Sequence, residues 1–398
     1  MESHYDIVIC GGGPVGLMFA NLLARTNYSI ALIDAGVAPV APAQSEPHLS
    51  VYELSSGYAP RVSALNAASI ALLERCDVID KLGRHAKFFE MHVKDVEGAG
   101  EIQFSAEEIG VPQLGMVIEN HRLVGALHER LEEFENVELL FGQSVQEIVE
   151  GEGGNRVLLD DGRVLICNLL VGADGGNSRV RELKGLRTAG WSYDQTAVVT
   201  TIQTELPHNQ IPRQWFTSEG PLAFLPLADS HLCSIVWSHQ DAESLMKLNA
   251  ELFCKTLSET SEQDLGIVVG TDQRLSFPLK QQHTYRYVGP GVALIGDAAH
   301  SIHPLAGQGA NLGLADAEAL ALEIRQTQLT GQQPGEISVL RRFERARQPH
   351  NLAVAAAMET LKRLYSSQTP ALGWLRNRGM RALNQNSLLK SMIIKFAS

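Results

Sequence analysis

The 398-residue sequence predicts an α/β chain, α+β overall, with a parallel-sheet core, an inserted and mostly antiparallel sheet, and helices at its C-terminal end. Three observations predict it. A β-rich run, Tyr5–Cys10, meets glycines at once and leads through a helix pattern to a second apolar run, Ser29–Asp34. The same signature of strand, acid and glycine returns at Leu169–Arg181 and at Leu294–Ala317. Between Gly190 and Pro278 the texture changes to short β-rich segments, several with aromatics, which reads as an antiparallel insertion.

The first element is a Rossmann-like βαβ unit. Gly11, Gly13 and Gly16 form G-x-G-x-x-G around Pro14 and Val15, directly between a strand and the helix pattern Leu17–Arg25. Gly11 permits the tight turn, Gly13 lets the backbone approach a pyrophosphate, and Gly16 lets helix and strand pack closely. Asp34, eighteen residues after Gly16, is placed to accept from a ribose hydroxyl. The plainer alternative, a glycine turn without a nucleotide, is weakened by this context.

Gly36–Pro60 reads as a long loop rich in Pro, Ser and Ala, followed by Arg61–Asn66 and a helix to about Cys76. Arg61 could contact a pyrophosphate or simply face solvent. Phe88–Val96 and Glu101–Phe104 read as a hairpin. After the strand Gly115–Glu119, Asn120 is expected to cap the helix His121–Phe134, which puts Arg122 in a first turn where the dipole disfavours a cation. That position suits a ligand contact or an exposed side chain. Strands are expected at Val137–Phe141, Ser144–Val149, Arg156–Asp160 and Val164–Ile166. Asp174-Gly175-Gly176 then opens a helix near Ser178, with either Asp174 or Ser178 as its cap. Beyond the insertion, with its helix at Ala242–Thr260 and closing strand near Thr271–Phe277, the run Val292–Ile295 delivers Gly296-Asp297. The loop with His303 and Pro304 follows, and Gly307-Gln308-Gly309 opens a long Ala/Leu helix through Ala310 and Asn311. Its free N–H groups and positive dipole end suit an anionic, polyhydroxylated ligand. A helical segment at Glu336–Leu364, with a break expected at Pro349, leads to a basic tail whose Leu388, Leu389, Met392, Ile393 and Phe396 form one apolar stripe.

The expected domains are 1–86, 110–182 and 278–350 for the nucleotide-binding part, 87–109 and 183–277 for a substrate-binding sheet, and 351–398 for the tail. Hydrophobic content of 44% and charged content of 20% are those of a soluble globular chain. No apolar run approaches the roughly 20 residues that span a bilayer, and no signal peptide is visible. The five scattered cysteines lack CxxC spacing and read as reduced, mostly buried thiols. The net charge of −12 is divided unevenly. From Leu340 onward eleven Lys/Arg face two acids, a surplus of +9, so the preceding residues carry −21. An acidic body argues against nucleic acid as the main ligand, and the basic tail suits a membrane surface, an acidic partner or its own body. His300 and His303 are too isolated to suggest a metal site.

The three glycine elements together resemble single-component flavoprotein aromatic hydroxylases of the para-hydroxybenzoate hydroxylase type. The first resembles their G-x-G-x-x-G with Asp34. Asp174, Gly175, Ser178 and Arg181 match D-G-x-x-S-x-x-R, and Gly296, Asp297, His300, Pro304, Gly307, Gln308, Gly309 and Asn311 match G-D-A-A-H-x-x-x-P-x-x-G-Q-G-x-N. RVSALN at Arg61–Asn66, IENHRL at Ile118–Leu123, AFLPL at Ala223–Leu227 and HLCSIVWS at His231–Ser238 are similar to the ubiquinone-biosynthesis hydroxylases, most of all to the 2-polyprenylphenol hydroxylases.

The resemblance implies FAD, O2, NAD(P)H or another electron donor, and a hydrophobic polyprenyl phenol hydroxylated through a flavin C4a-hydroperoxide. It gives Asp34 the adenosine ribose, Asp297 a ribityl hydroxyl, and the Gly307–Asn311 backbone the N1–C2=O edge of the flavin. Arg61 is then near the pyrophosphate or flavin, Arg122 near the pyrophosphate and Val145 near the adenine, with Asp174 between FAD and NAD(P)H recognition. His303 is the candidate to touch flavin or phenol, and no conventional acid–base residue is expected. With a single G-x-G-x-x-G after a strand, NAD(P)H would bind transiently. The expected setting is cytoplasmic, peripheral at the inner face of the membrane or held by a multi-enzyme ubiquinone-biosynthesis complex through the tail. A flavin halogenase is disfavoured because W-x-W-x-I-P is missing; a flavin reductase or dehydrogenase of isoprenoids, and a non-catalytic FAD-binding scaffold, are the rival readings.

Overall fold

A computed structural model describes residues 2–39, 48–98, 100–151, 153–302, 307–366 and 369–396. Glu2–Cys10 lies in the middle of an eight-stranded sheet, parallel to Ile30–Asp34 on one side and Val164–Gly172 on the other. Ile7–Cys10 is buried on both faces, which is why the run reads as continuous β-branched and apolar rather than alternating. Val137–Phe141 extends the sheet beyond Ile30–Asp34, and Val292–Leu294 pairs in parallel with Leu170–Gly172. These parallel strands therefore end at one edge, to which three of them deliver Asp34, Asp174 and Asp297, and where ligands of open α/β sheets sit. The helices Pro14–Leu23 and Gln308–Thr330 pack against each other behind that edge, their apolar faces merging into the largest core cluster. Gly11, at φ +117°, turns the chain there; a Cβ on Gly16 would stand 2.0 Å from the Gly11 carbonyl, so glycine alone fits.

The insertion is an eleven-stranded sheet built on the 17-residue strand Thr188–Thr204. That strand pairs antiparallel with Leu232–His239, Val268–Thr271 and Leu275–Thr284. The hairpin Glu90–Asp95/Glu101–Ser105 joins the same sheet through Arg213–Phe216. Leu275–Thr284 also pairs with His300–Ser301, which ties the second sheet to the turn carrying Asp297. Val62–Asn66, Gly115–Glu119 and Ala86–Phe88 form a small third sheet.

Several local expectations need correction. The expected loop Gly36–Pro60 contains strands His48–Ser50 and Tyr52–Ser55, and Tyr52 pairs with Gly270 of the inserted sheet. Asn120 does not cap its helix; Glu119 precedes the first turn, and the Asn120 amide oxygen accepts from Ser63 Oγ at 2.7 Å instead. The helix expected at Ala242–Thr260 breaks at Leu248, where Asn249 caps a new helix by accepting from Leu252 N. The expected closing strand Thr271–Phe277 is two strands, Val268–Thr271 and Leu275–Thr284. Ile337–Ser366, by contrast, runs unbroken through Pro349.

The five cysteines are free and buried, and burial pushes the Cys167 and Cys233 thiols up to about 12. Among the described residues no helix is long and apolar enough to cross a membrane. The tail docks on the body: Tyr365 stacks on Phe216 at 3.7 Å, and Arg376 pairs with Asp95 at 2.8 Å in a fully buried setting.

Candidate functional site

A cleft of about 1240 Å3 opens at the C-terminal edge of the parallel sheet, between that sheet and the insertion. Gly11, Gly13, Pro14 and Val15 form part of its lining, and Gly16 lies buried behind them. The helix Pro14–Leu23 starts at Gly13 with no side-chain cap, so its first N–H groups are left for a ligand. Asp34 stands beside it in the lining, its carboxylate accepting from Gly12 N at 2.6 Å and Gly36 N at 2.7 Å.

Asp174 lines the cleft with one oxygen already used. Its Oδ2 accepts from Arg179 N at 2.7 Å and Val180 N at 3.1 Å, while Ser178 Oγ accepts from Arg181 N. Both alternatives considered as caps therefore act on the same short helix, Arg179–Leu183. Asp174 Oδ1 is buried with no partner among the described residues. Arg181 reaches across to the Ala298 carbonyl at 2.8 Å and the Gly176 carbonyl at 2.7 Å, locking the second glycine turn to the third.

Asp297 is different. It sits in a single 3-10 turn, Gly296–Ala298, and no described group bonds its carboxylate. Protein encloses the carboxylate at a distance, which raises its carboxyl above the ordinary range against the nearby charges of His300 and Arg61, yet its own surface stays open to the cleft. Gly307, at φ +64°, starts the helix Gln308–Thr330 without a side-chain cap, and Gly307, Gly309 and Ala310 line the cleft. Gln308 is buried behind them. The Asn311 side chain is spent elsewhere: it accepts from Asn66 N and Ser69 Oγ and donates to the Ala64 carbonyl, clamping this helix to the third sheet. His303 and Pro304 lie outside the described residues.

Arg61 and Val145 line the cleft, and the Arg61 guanidinium lies 5.1 Å from the Phe277 ring centre. Arg122 lies outside the lining and is not exposed either. Its Nε donates to Glu119 at 2.8 Å, and Glu119 also takes Arg84 and Ala59 N–H. Burial alone would raise the Glu119 carboxyl, but Arg84 and the Ala59 N–H hold it below the usual range.

Two sets of residues escaped the sequence reading. The insertion presents Ala197, Val199, Val236 and the run Phe277–Leu279 to the cleft, with Lys280 and Gln282 following on the same strand. The β-rich segments were legible there, but the residues that meet the cleft were not. Asp316, fully buried in the long helix, accepts from His300 Nε2 at 2.5 Å, Gly296 N at 3.2 Å, Arg347 Nε at 2.8 Å and Asn351 Nδ2 at 3.0 Å. Its signal was an acid four residues from both Leu312 and Leu320 on the buried face of an Ala/Leu helix.

The arrangement offers two uncapped helix N-termini and an unbonded carboxylate on one wall and an apolar sheet face on the other. A model of the FAD binding domain family matches residues 4–357. The ubiquinone biosynthesis monooxygenase COQ6 of Rattus norvegicus is 33% identical over 448 residues, covering 100% of this chain and 91% of that protein. The 3-demethoxyubiquinol 3-hydroxylase of Escherichia coli (strain K12) is 32% identical over 396 residues, covering 98% of each. Among solved structures, p-nitrophenol 4-monooxygenase PnpA from Pseudomonas putida matches with a TM-score of 0.80 at 18% identity, covering 99% of this chain and 98% of that one. PqsL of Pseudomonas aeruginosa, described as a probable FAD-dependent monooxygenase, matches with a TM-score of 0.78 at 22% identity, covering 96% and 100%. At those identities the structures share the fold; the sequence relatives carry the family. The chain belongs to the FAD binding domain family, among the ubiquinone-biosynthesis hydroxylases, and is an FAD-dependent monooxygenase.

Proposed function

We propose that this enzyme hydroxylates the aromatic ring of a polyprenyl phenol in ubiquinone biosynthesis, using O2 and electrons from NAD(P)H. The observation that carries the reading is the cleft with two unlike walls. One wall fits FAD: a Cβ at Gly13 or Gly309 would meet no atom of the described residues within 4 Å, so space for a ligand lies against both helix starts. The other wall, with Val199, Val236, Phe277 and Leu279, fits an apolar phenol.

In this assignment the N–H groups after Gly13 hold the pyrophosphate, with Gly11 and Gly16 shaping the turn, and Asp34 accepts from the adenosine ribose. Val145 packs on the adenine. Asp297 accepts from a ribityl hydroxyl, and the N-terminus at Gly307–Asn311 directs its positive end at the electron-rich edge of the flavin ring. Arg61, in the cleft lining, would sit near the pyrophosphate or flavin. Arg122 acts at one remove through Glu119, and Asp174 shapes the turn that meets FAD and a transiently bound NAD(P)H. Bound FAD supplies the electron transfer and oxygen activation. The chain orients the phenol ring, holds it against the flavin and keeps water out with the apolar sheet face. We further propose a cytoplasmic setting, with membrane or complex contact through the basic tail.

The test is product analysis of the FAD-loaded enzyme with each polyprenyl phenol precursor, alongside anaerobic mixing with NADH and NADPH. Hydroxylated product and bleaching of the flavin by one nucleotide are expected. A reduced or dehydrogenated product would favour the reductase reading, and a flavin bleached by neither nucleotide would remove NAD(P)H as the direct donor.

A further inference from the structure

The helix Ser387–Phe396 turns a lysine inward and most of its described apolar side chains outward. Lys390 is only 4% exposed; its Nζ donates to the Gln103 carbonyl at 3.1 Å and pairs with Glu108. Ile394 packs against the body, but four other apolar residues face out, with Leu388 76% and Met392 65% exposed and Leu389 and Ile393 beside them. Their spacing puts all four on one stripe. A helix packed only for its own stability would bury these and expose the lysine. The inward ion pair fixes the rotation of the helix and so holds the stripe toward solvent. The preceding helix, Pro370–Asn384, exposes Trp374 with the Arg378 guanidinium 5.3 Å from its ring centre, and Arg381 is exposed on the same helix.

We propose that this stripe docks the protein on a bilayer bearing anionic headgroups. Residues 370–398 hold five Lys/Arg and no Asp or Glu, against a body of charge −21. The partner must therefore be apolar where it meets the stripe and negative around it. A second copy meeting stripe to stripe would set two acid-free basic tails against each other. An anionic bilayer supplies both properties: hydrocarbon for the leucines and methionine, headgroup depth for the Trp/Arg pair, and negative charge for the cations.

The test is sedimentation of the FAD-loaded full chain with phosphatidylcholine vesicles, with and without phosphatidylglycerol. Binding is expected to the anionic vesicles, weaker on phosphatidylcholine alone and weakened by salt. The double variant Leu388→Ser/Met392→Ser should lose about tenfold or more of that binding, and Arg378→Gln/Arg381→Gln should lose the preference for anionic lipid. Both should keep their flavin and their turnover of a short-chain, water-soluble phenol, which separates this proposal from the assignment of the cleft. Vesicle binding equal to wild type in the Leu388→Ser/Met392→Ser protein would overturn it, as would a wild type that ignores vesicles. A self-association in light scattering that this variant abolishes, without lipid binding, would assign the stripe to a second copy instead.

Discussion

The turns at Asp174 and Asp297 begin alike and end differently. They follow adjacent parallel strands of one sheet, Leu170–Gly172 paired with Val292–Leu294, and each delivers an acid among glycines. Yet Asp174 is bonded by the N–H groups of its own helix, whereas Asp297 is bonded by no described group and opens to the cleft. The cause is the length of chain to the next helix. After Asp174 a helix starts at Arg179, close enough for its first N–H groups to fall on the carboxylate. After Asp297 the helix starts only at Gln308, and Asp316 reaches back from it to hold Gly296 and His300. The fixing of the turn is thus delegated to a buried carboxylate, and Asp297 is left for a ligand.

The largest effect that would break this comparison comes from Asp316→Ala. It leaves Arg347 and His300 without their buried partner and should cost about 3–5 kcal/mol of unfolding free energy in urea, with loosened FAD as a consequence. An unchanged urea midpoint would mean that Asp316 does not hold the turn. Asp297→Ala should weaken FAD binding by about 1.5–3 kcal/mol in a flavin-fluorescence titration, while the apoprotein's stability moves by less than about 0.5 kcal/mol. Asp174→Ala should do the reverse, costing about 0.5–2 kcal/mol of stability as a lost cap and less FAD affinity than Asp297→Ala. If the two variants showed the same signature, the two turns would not divide the work in this way.

A smaller effect sharpens the same contrast through pH. Burial alone would raise the Asp316 carboxyl, but the His300 and Arg347 charges hold it below the usual carboxylate range. Its stabilisation is therefore complete above the unfolded-state value of about 4 and is lost only as pH falls through the lower folded-state value. Urea midpoints should show the advantage of wild type over Asp316→Asn constant down to about that pH and shrinking only below it. The Asp297 carboxyl, raised by its enclosure, has the opposite sign: its contribution is present below the unfolded-state value and fades as pH rises through the folded one.

Much of this was legible in the sequence, for reasons that are local. Gly11, Gly13 and Gly16 sit where strand meets helix, and Asp34 ends the next strand, so spacing alone brings them to one turn. The change from helix-linked strands to aromatic β-rich segments marked the insertion. What could not be read depends on contacts far apart in the chain. Asn311 bonds Asn66 and Ser69 across more than two hundred residues, and the Glu119 that takes Arg122 away from the cleft lining is itself fixed by Arg84 and the Ala59 N–H, 35 and 60 residues away. Tyr52 pairs with Gly270 from within what composition marks as a loop. Pro349 stays inside a continuous helix, where tertiary packing overrides a local breaker. The tail's stripe was visible as a periodicity, but only the inward turn of Lys390 shows which way it faces.

The central claim is that the cleft joins an FAD site to an apolar wall so that oxygen is inserted into a phenol ring. Mass spectrometry of the product formed under isotopically heavy oxygen gas tests it most directly. One heavy oxygen atom per hydroxylated polyprenyl phenol is the predicted result. A product whose new oxygen comes from water, or one oxidised without gaining oxygen, would contradict it.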